Sequence, residues 1–127
     1  MEKLIQAVFK EVIENKNYDE SLINKYFSED YTQDVDGVTL DFNSFKNHIR
    51  KLKEKVVEQK VVFENIISDE DCLITKHYVT SILQNEEVVK HKVFAEFKFK
   101  NDKIVHCDEL TFLLEGDSSE KKLGSEV

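Results

Sequence analysis

Glycine and cysteine are scarce in this chain, and each scarcity excludes a class of site. Only three of the 127 residues are glycine, at positions 37, 116 and 124, so no glycine-rich phosphate-binding loop is possible. The two cysteines, Cys72 and Cys107, form no Cys-x-x-Cys pair, which argues against a zinc finger or a thioredoxin-like motif. Each lies in or beside an apolar run, where a free thiol packs as a small hydrophobic group. We therefore expect a reducing, cytoplasmic location.

Basic charge and long apolar runs are also missing. The net charge of −8 argues against a nucleic-acid or anionic-membrane partner, because phosphate binding needs a basic surface. No run approaches the ~20 apolar residues that a membrane-spanning helix needs, and the N-terminal segment MEKLIQAVFKEVIENK lacks the apolar region of a signal peptide. No H-x-E or H-E-x-x-H spacing is present, so we expect neither a metal nor another cofactor.

Amphipathic helices are predicted in the N-terminal half. Apolar residues recur at helical spacing from Leu4 to Ile13, which predicts a first helix. A second, shorter helix is predicted to begin near Asp19 or Ser21, since either residue can cap it. Residues 30–36 have no helical period and read as a brief strand or extended loop.

A third helix follows the Asp36-Gly37 turn. Asp41 is its expected cap, and its apolar stripe runs to about Lys55. His48 falls on the flank of that stripe.

The C-terminal half changes to the period of two that is typical of strands. Four strand-like segments follow, at 56–67, 72–84, 88–100 and 103–114. Consecutive hairpins predict an antiparallel meander, and strands of this length twist and curl. The predicted fold class is α+β, with three N-terminal helices on a strongly curved four-stranded antiparallel sheet plus one short strand, a cone-like roll. One domain is expected over residues 1–115, followed by a polar, flexible tail over 116–127.

The turn signals predict the register of the sheet. Two-residue loops at Asn85-Glu86 and Asn101-Asp102 would pair Tyr78 with Val93 and Ala95 with Asp108. The face toward the helices would then be Ile74, Tyr78, Ile82, Val93, Ala95, Phe97, Phe99, Ile104, Leu110 and Phe112, interrupted by His106 and Asp108. The other face would be His77, Val79, Leu83, Phe94, Glu96, Cys107, Glu109 and Leu113, with His77, Phe94 and Glu109 aligned across strands. A one-residue slip in either hairpin would exchange the faces, so both assignments stay open.

Three stretches of the chain resemble a known superfamily. They are YFSEDYTQDVDG (26–37), FKFKNDKIVHCDE (97–109) and DELTFLLEGDSSEKKLGS (108–125). With the order of helices and strands, they resemble the nuclear-transport-factor-2-like superfamily, and within it the SnoaL-like branch, over roughly residues 2–115. The last stretch looks like the end of a bacterial subgroup of unassigned function. The superfamily includes isomerases, cyclases, hydrolases, dehydratases and non-catalytic modules, so the resemblance implies a fold rather than one activity.

The resemblance also implies a pocket between helices and sheet, with polar residues from the short strand and the last strands. Carried over residue by residue, these are Gln33, Asp34, Asp36, Asp108 and Glu109. Ala95 stands about where the ketosteroid-isomerase branch has a carboxylic acid, and the first helix lacks that branch's tyrosine. Asp34 stands where the pattern often has histidine. An isomerase of the ketosteroid design is therefore not expected.

Acid–base chemistry in such a pocket needs a carboxylate base of raised pKa and a donor for a developing oxyanion. The candidate bases are Asp34, Asp36 and Asp108. The candidate donors are Tyr78, His48 and His77. Each candidate also has a structural role open to it, such as a turn for Asp36, the core for Tyr78 and a helix boundary for His48. His77 and Glu109 either pair at a dimer interface or line the pocket.

Two functions remain open. The first is a SnoaL-like small-molecule-binding protein acting as a cofactor-free acid–base enzyme, of isomerase, cyclase or hydrolase type, on a small, largely apolar carbonyl compound. The second is a non-catalytic ligand- or protein-binding module of the same fold. The first requires a pocket that holds an acid and a donor near a common point. The apolar content of the outer sheet face, together with the resemblance, predicts a homodimer.

Overall fold

The computed structural model describes residues 1–116, which form helices on one side of a curved sheet. In chain order the elements are α1 (Glu2–Val8), a π-helical turn (Phe9–Ile13), α2 (Glu20–Tyr26), β1 (Phe27–Val35), β2 (Val38–Asp41), α3 (Phe42–Lys55), β3 (Val56–Asp69), β4 (Cys72–Leu83), β5 (Val88–Lys100) and β6 (Lys103–Glu115). Apart from Gly116, the predicted flexible tail lies outside the described residues. The α+β class and the three N-terminal helical segments are confirmed.

Two aspartates cap helices as the sequence predicts. The Asp19 carboxylate accepts a hydrogen bond from the backbone N–H of Ser21 at 3.0 Å, at the start of α2. Asp41 accepts one from the backbone N–H of Ser44 at 2.8 Å, at the start of α3. Both bonds satisfy N–H groups that have no partner within the helix. These local interactions explain why the helix starts can be read from the sequence.

The sheet has six strands in the order β2-β1-β6-β5-β4-β3, which corrects the prediction of four strands plus one short strand. β1 is longer than predicted and runs parallel to β6, and β2 is an additional strand. The Asp36-Gly37 turn joins β1 to β2, with φ of 52° and 85° respectively. Positive φ at both central residues is what a two-residue hairpin turn of the primed type requires, and Asp-Gly suits it.

The loop between β4 and β5 is one residue longer than predicted. The backbone N–H of Leu83 donates to the carbonyl of Glu87 at 2.9 Å, so the loop comprises residues 84–86 rather than two residues. His77, not Tyr78, therefore lies opposite Val93. Glu86 has a φ of 71°, the left-handed conformation that commonly closes a three-residue hairpin loop.

A β-bulge shifts the register of β6 in the same sense. The Asn101-Asp102 loop pairs Phe99 with Ile104 as predicted, but Lys98 then pairs with His106. Val105 is thus the extra residue of a bulge, which turns the side chains of β6 from His106 to Leu113 to the face opposite the predicted one. Glu109, rather than Asp108, lies opposite Ala95.

These two shifts decide which residues face the helices. The predicted β5 core residues Val93, Ala95, Phe97 and Phe99 are buried, and Ile104 is buried with them. The other predicted core residues of β4 and β6 are instead on the outer face: Ile74, Tyr78, Ile82, Leu110 and Phe112. The inner face takes His77, Val79, Leu83, Cys107, Glu109 and Leu113, while Phe94 and Glu96 remain outside.

The core lies between the inner sheet face and the helices. Ile5 and Val8 of α1, Phe9 and Val12 of the π-helical turn and Ile49 of α3 pack against sheet residues there. No helix within residues 1–116 is long and apolar enough to cross a membrane.

Candidate functional site

A cavity of about 110 Å³ lies between the inner sheet face and the helices. Its volume admits several water molecules or a small organic group. The apolar lining residues are Phe9, Ile13, Val35, Phe45, Ile49, Leu52, Val79 and Val93. The polar ones are Gln33, His48, Gln59, His77, Ser81, His91, Glu109 and Thr111. The site is therefore an apolar cavity with polar groups at intervals, as small-molecule sites usually are.

Glu109 is the carboxylate of this cavity. The Val105 bulge turns it inward, and the side chain is partly buried. Removal from water raises the pKa of its carboxyl to about 7, and the negative charges of Asp36 and Asp108 act in the same direction. The Cys107 thiol donates a hydrogen bond to Oε1 at 3.5 Å and opposes the shift. A carboxyl with this pKa exchanges protons readily near neutral pH.

Three of the four histidines line the cavity, from α3, β4 and β5 respectively: His48, His77 and His91. His77 is 1% exposed, and its ring makes edge contacts with Phe9 at 5.0 Å between centroids. Burial lowers the pKa of His77 to about 4, so its imidazole is neutral near pH 7. Its Nδ1 lies 2.8 Å from the Thr75 hydroxyl. His77 and His91 are diagonal neighbours on the inner face, because His77 pairs with Val93.

A buried polar group of β1 adjoins the carboxylate. The Tyr31 hydroxyl donates to Oε1 of Gln33 at 2.8 Å. Burial raises the pKa of Tyr31 and of Cys107 well above their usual values, so both keep their protons. Gln33 pairs with Cys107 across the parallel β1–β6 junction. The parallel strand, which the sequence did not predict as such, thus brings Gln33 close to Glu109.

A further polar group lies on β3. The amide Nε2 of Gln59 donates to the Ser81 hydroxyl at 3.0 Å. Its Oε1 is buried and has no hydrogen-bond partner among residues 1–116. This acceptor is available to a molecule in the cavity.

The structure places four predicted site residues at the cavity: Gln33, His48, His77 and Glu109. Three of the four predicted catalytic residues lie outside the cavity lining: Asp34, Asp108 and Tyr78. Asp108 is exposed on the outer face, opposite Glu96, and Tyr78 on the same face donates from its hydroxyl to Glu64 at 3.0 Å. The Val105 bulge and the longer β4–β5 loop account for both displacements.

Asp34 and Asp36, the two candidate aspartates near the β1–β2 turn, serve the turn and its junction with β6. Asp34 accepts a hydrogen bond from the backbone N–H of Gly37 at 3.0 Å, outside the cavity lining. Asp36 accepts from the backbone N–H of Thr111 at 2.8 Å and from the Thr111 hydroxyl. The Asp36 N–H in turn donates to the Glu109 carbonyl at 3.0 Å. Asp36 therefore anchors the segment that carries Glu109.

His91, Gln59, Ser81 and Thr111 also line the cavity, and sequence reasoning did not select them as site residues. The predicted register placed His91 with His106 and opposite His77. In the structure, His77 and His91 share the inner face, and His106 contacts Thr32 at 2.8 Å on the outer one. The alternation of polar and apolar residues could not reveal this register, because Ile74 and Ile82, which point outward from β4, are themselves apolar.

Metal binding finds no geometric support in the described part of the chain. Within residues 1–116, no three His, Cys, Asp or Glu side chains are placed to hold an ion together.

Several solved structures share this fold. An LEH-like epoxide hydrolase from Mycobacterium tuberculosis superposes with a TM-score of 0.74 at 13% identity, over 87% of this chain and 80% of the other. An NTF2-like protein of unknown function from Exiguobacterium gives 0.72 at 16% identity, over 86% and 98%. A candidate SnoaL-like polyketide cyclase from Jannaschia gives 0.73 at 11% identity, over 86% and 83%. The chain thus has the nuclear-transport-factor-2-like fold.

One curated relative is close enough in sequence to define a family. The uncharacterized protein C11D3.04c of the fission yeast Schizosaccharomyces pombe is 31% identical over 124 residues, which cover 98% of this chain and 95% of that protein. The chain belongs to the same family as this yeast protein. No protein-family model matches the sequence.

Proposed function

We propose that this protein binds a small, largely apolar molecule in the cavity and acts on it by acid–base catalysis, with Glu109 as the general base. The observation that carries the proposal is the inward carboxyl of Glu109, with a pKa of about 7, in a mostly apolar cavity. A base of this pKa is present in both protonation states at neutral pH, which suits it to take up a proton and return it.

His77 is the candidate hydrogen-bond donor to a developing oxyanion. Its neutral imidazole carries one N–H, and Nε2 carries that proton when Nδ1 accepts a hydrogen bond from the Thr75 hydroxyl. Donors of this kind stabilise negative charge strongly where water is excluded. His48, on α3, faces the cavity from the opposite wall and is the second candidate.

The similar structures indicate substrate classes to test. They include an epoxide hydrolase and a candidate polyketide cyclase, whose fold this chain shares. Small carbonyl compounds and epoxides are therefore the first substrates to examine. Either would place its reacting oxygen near a donor and a proton or water near Glu109.

The test compares turnover of these compounds by the wild type, Glu109→Gln and Asp108→Asn. Asp108 is the matched control, because it is the next residue along β6 but points outward. We expect Glu109→Gln to lose roughly 10²-fold or more in kcat/KM and Asp108→Asn to keep wild-type activity. Equal loss in both variants would contradict the assignment. Binding without turnover, unchanged in Glu109→Gln, would favour the non-catalytic ligand-binding module.

The outer sheet face supports the proposal of a homodimer. Leu110 and Phe112 are each 66% exposed, and Phe94 is 50% exposed. A contiguous patch of exposed apolar side chains more often marks a surface that contacts another molecule than a surface that stays in solvent. A face presented by the same strands of two copies suits a twofold interface.

The proposed location is the cytoplasm. Cys72 and Cys107 are both free thiols, and Cys107 is buried. Free cysteines persist most readily in a reducing compartment.

A further inference from the structure

Polar groups lie at two ends of the cavity, and β4 shows how the ends are arranged. Three successive inward residues of β4 line the cavity: His77, Val79 and Ser81. About 13 Å of extended strand separates the Cα atoms of His77 and Ser81. The floor of the cavity therefore runs from a neutral imidazole, across an aliphatic side chain, to a hydroxyl group.

Glu109 lies at the His77 end. It pairs with Ala95, and Ala95 pairs with Thr75, which precedes His77 on the side away from Ser81. The candidate base and the candidate oxyanion donor are therefore at the same end of the cavity. A substrate bound for the proposed reaction directs its reacting carbonyl or epoxide group to this end.

Gln59 lies at the opposite end. It pairs with Ser81 between β3 and β4, and its amide Nε2 donates to the Ser81 hydroxyl at 3.0 Å. Its Oε1 is buried and has no hydrogen-bond partner in the described chain. A buried acceptor without a partner costs free energy, which a hydrogen-bond donor on a bound molecule would offset.

The partner that suits this acceptor is an uncharged donor. Oε1 of Gln59 is a single neutral acceptor, which is enough to compensate a hydroxyl or N–H group but not an ion taken out of water. His48 and His91 also line the cavity, and each already interacts with other groups of the chain. A guest can thus complete Gln59 without displacing an existing interaction of either histidine.

We propose that Gln59 is a specificity-determining residue of this cavity, and that the substrate carries an uncharged hydrogen-bond donor, such as a hydroxyl group, at the end remote from its reacting carbonyl. The donor contacts Oε1 of Gln59, the chain between the two groups packs against Val79, and the carbonyl lies toward His77 and Glu109. This inference rests on the proposed function, which decides the end of the cavity that holds the carbonyl.

The experiment uses three methyl ketones of equal chain length: methyl ω-hydroxybutyl ketone, methyl pentyl ketone and methyl ω-methoxypropyl ketone. The first ends in a donor, the second ends in a methyl group of similar size, and the third carries an ether oxygen that can only accept. Each is titrated into the full chain, and amide shifts in two-dimensional NMR spectra report the dissociation constant. The quantity compared is the ratio of the Kd of methyl pentyl ketone to the Kd of the hydroxy ketone.

In Gln59→Leu this ratio should fall about tenfold below the wild-type ratio, because leucine keeps much of the shape of the side chain and has no acceptor. The Kd of the methoxy ketone should change no more than that of methyl pentyl ketone. Lys60→Leu is the matched control and should keep the wild-type ratio, since Lys60 is the next residue along β3 and is exposed. If Gln59→Leu does not fold, Gln59→Leu together with Ser81→Ala should show the same fall, because removing both members of a hydrogen-bonded pair is close to neutral for stability.

The outcomes separate this inference from the proposed function. A ratio that stays at the wild-type value in Gln59→Leu overturns the inference, while binding in the cavity stands. A methoxy ketone that binds as tightly as the hydroxy ketone overturns it as well, because the end group would then not need to donate. Glu109→Gln should keep the wild-type ratio, and a fall equal to that in Gln59→Leu would contradict the assignment of the donor to the Gln59 end. If none of the three ketones shifts cavity residues, both the inference and small-molecule binding by this cavity fail.

Discussion

At the scale of single residues, the proton equilibrium of Glu109 links the cavity to stability. Its pKa rises from 4.5 to about 7 in the folded chain. At a pH between these two pKa values, the Glu109 carboxyl has lost its proton in the unfolded chain and keeps it in the folded chain. Folding stability contributed by this group therefore falls as pH rises from 4.5 to about 7, and levels off above that.

Glu109→Gln should remove this dependence. Relative to the wild type, the variant should become more stable as pH rises from 4.5 to 8, by about 3 kcal/mol. The measurement is the free energy of unfolding in urea at several pH values for both proteins. Because His77 titrates in both, the difference between them isolates Glu109. A difference that stays constant with pH would show that the carboxyl titrates normally.

His77 should behave in the opposite sense. Its pKa falls from 6.5 to about 4 on burial, so the unfolded chain takes up a proton below pH 6.5 that the folded chain refuses. The contribution of this group to stability is complete above pH 6.5 and decreases as pH falls toward 4. NMR titration of the histidine rings should find His77 neutral down to about pH 4. Titration of its ring near 6.5 would refute the buried, neutral assignment.

At the scale of elements, the β1–β2 hairpin controls how β6 presents Glu109. Asp36 has a φ of 52° and bonds Thr111 through its side chain and Glu109 through its N–H. Asparagine also tolerates left-handed backbone, so Asp36→Asn should keep the turn. The substitution removes a negative charge that raises the pKa of Glu109.

Asp36→Asn should therefore lower the pKa of Glu109, with a stability loss of about 1 kcal/mol from the weakened bond to Thr111. NMR titration of the Glu109 side-chain carbon measures the pKa directly. Asp34→Asn is the matched control, since Asp34 lies in the same hairpin but bonds the N–H of Gly37 instead. Equal shifts in the two variants would assign the effect to the hairpin rather than to the Asp36 charge.

The local sequence predicts where the helices start but does not predict the register of the strands. The starts of α2 and α3 follow from Asp19 and Asp41, whose capping bonds span two or three residues. The β4–β5 loop and the Val105 bulge each add one residue to the predicted pairing. The local sequence fixes neither the number of residues in that loop nor the presence of the bulge. A shift of one residue is enough to exchange the two faces of a strand. The sequence therefore predicts Tyr78 and Asp108 at the cavity and His91 on the face opposite His77, and the structure places all three otherwise.

At the scale of the whole molecule, the exposed apolar face predicts association. Substituting Leu110→Lys together with Phe112→Lys should convert a dimer to a monomer, because charged side chains would have to be buried at the interface. Sedimentation velocity measures the mass in solution. Val38→Lys is the control, since Val38 is 43% exposed and lies on β2 at the far edge of the sheet. A wild type that sediments as a monomer would disprove the dimer.

The α+β class, the helix starts, the four long strands and the Asp36-Gly37 and Asn101-Asp102 turns follow from the sequence alone, because each depends on contacts between residues close along the chain. The sequence also placed Gln33, His48, His77 and Glu109 among the candidates. Only the tertiary structure decided which sheet face covers the cavity and that β1 runs parallel beside β6. The reason is physical: both faces of this sheet carry apolar residues, so hydrophobic patterning favours neither. One loop residue and one bulge then turn Glu109 inward and Asp108 outward.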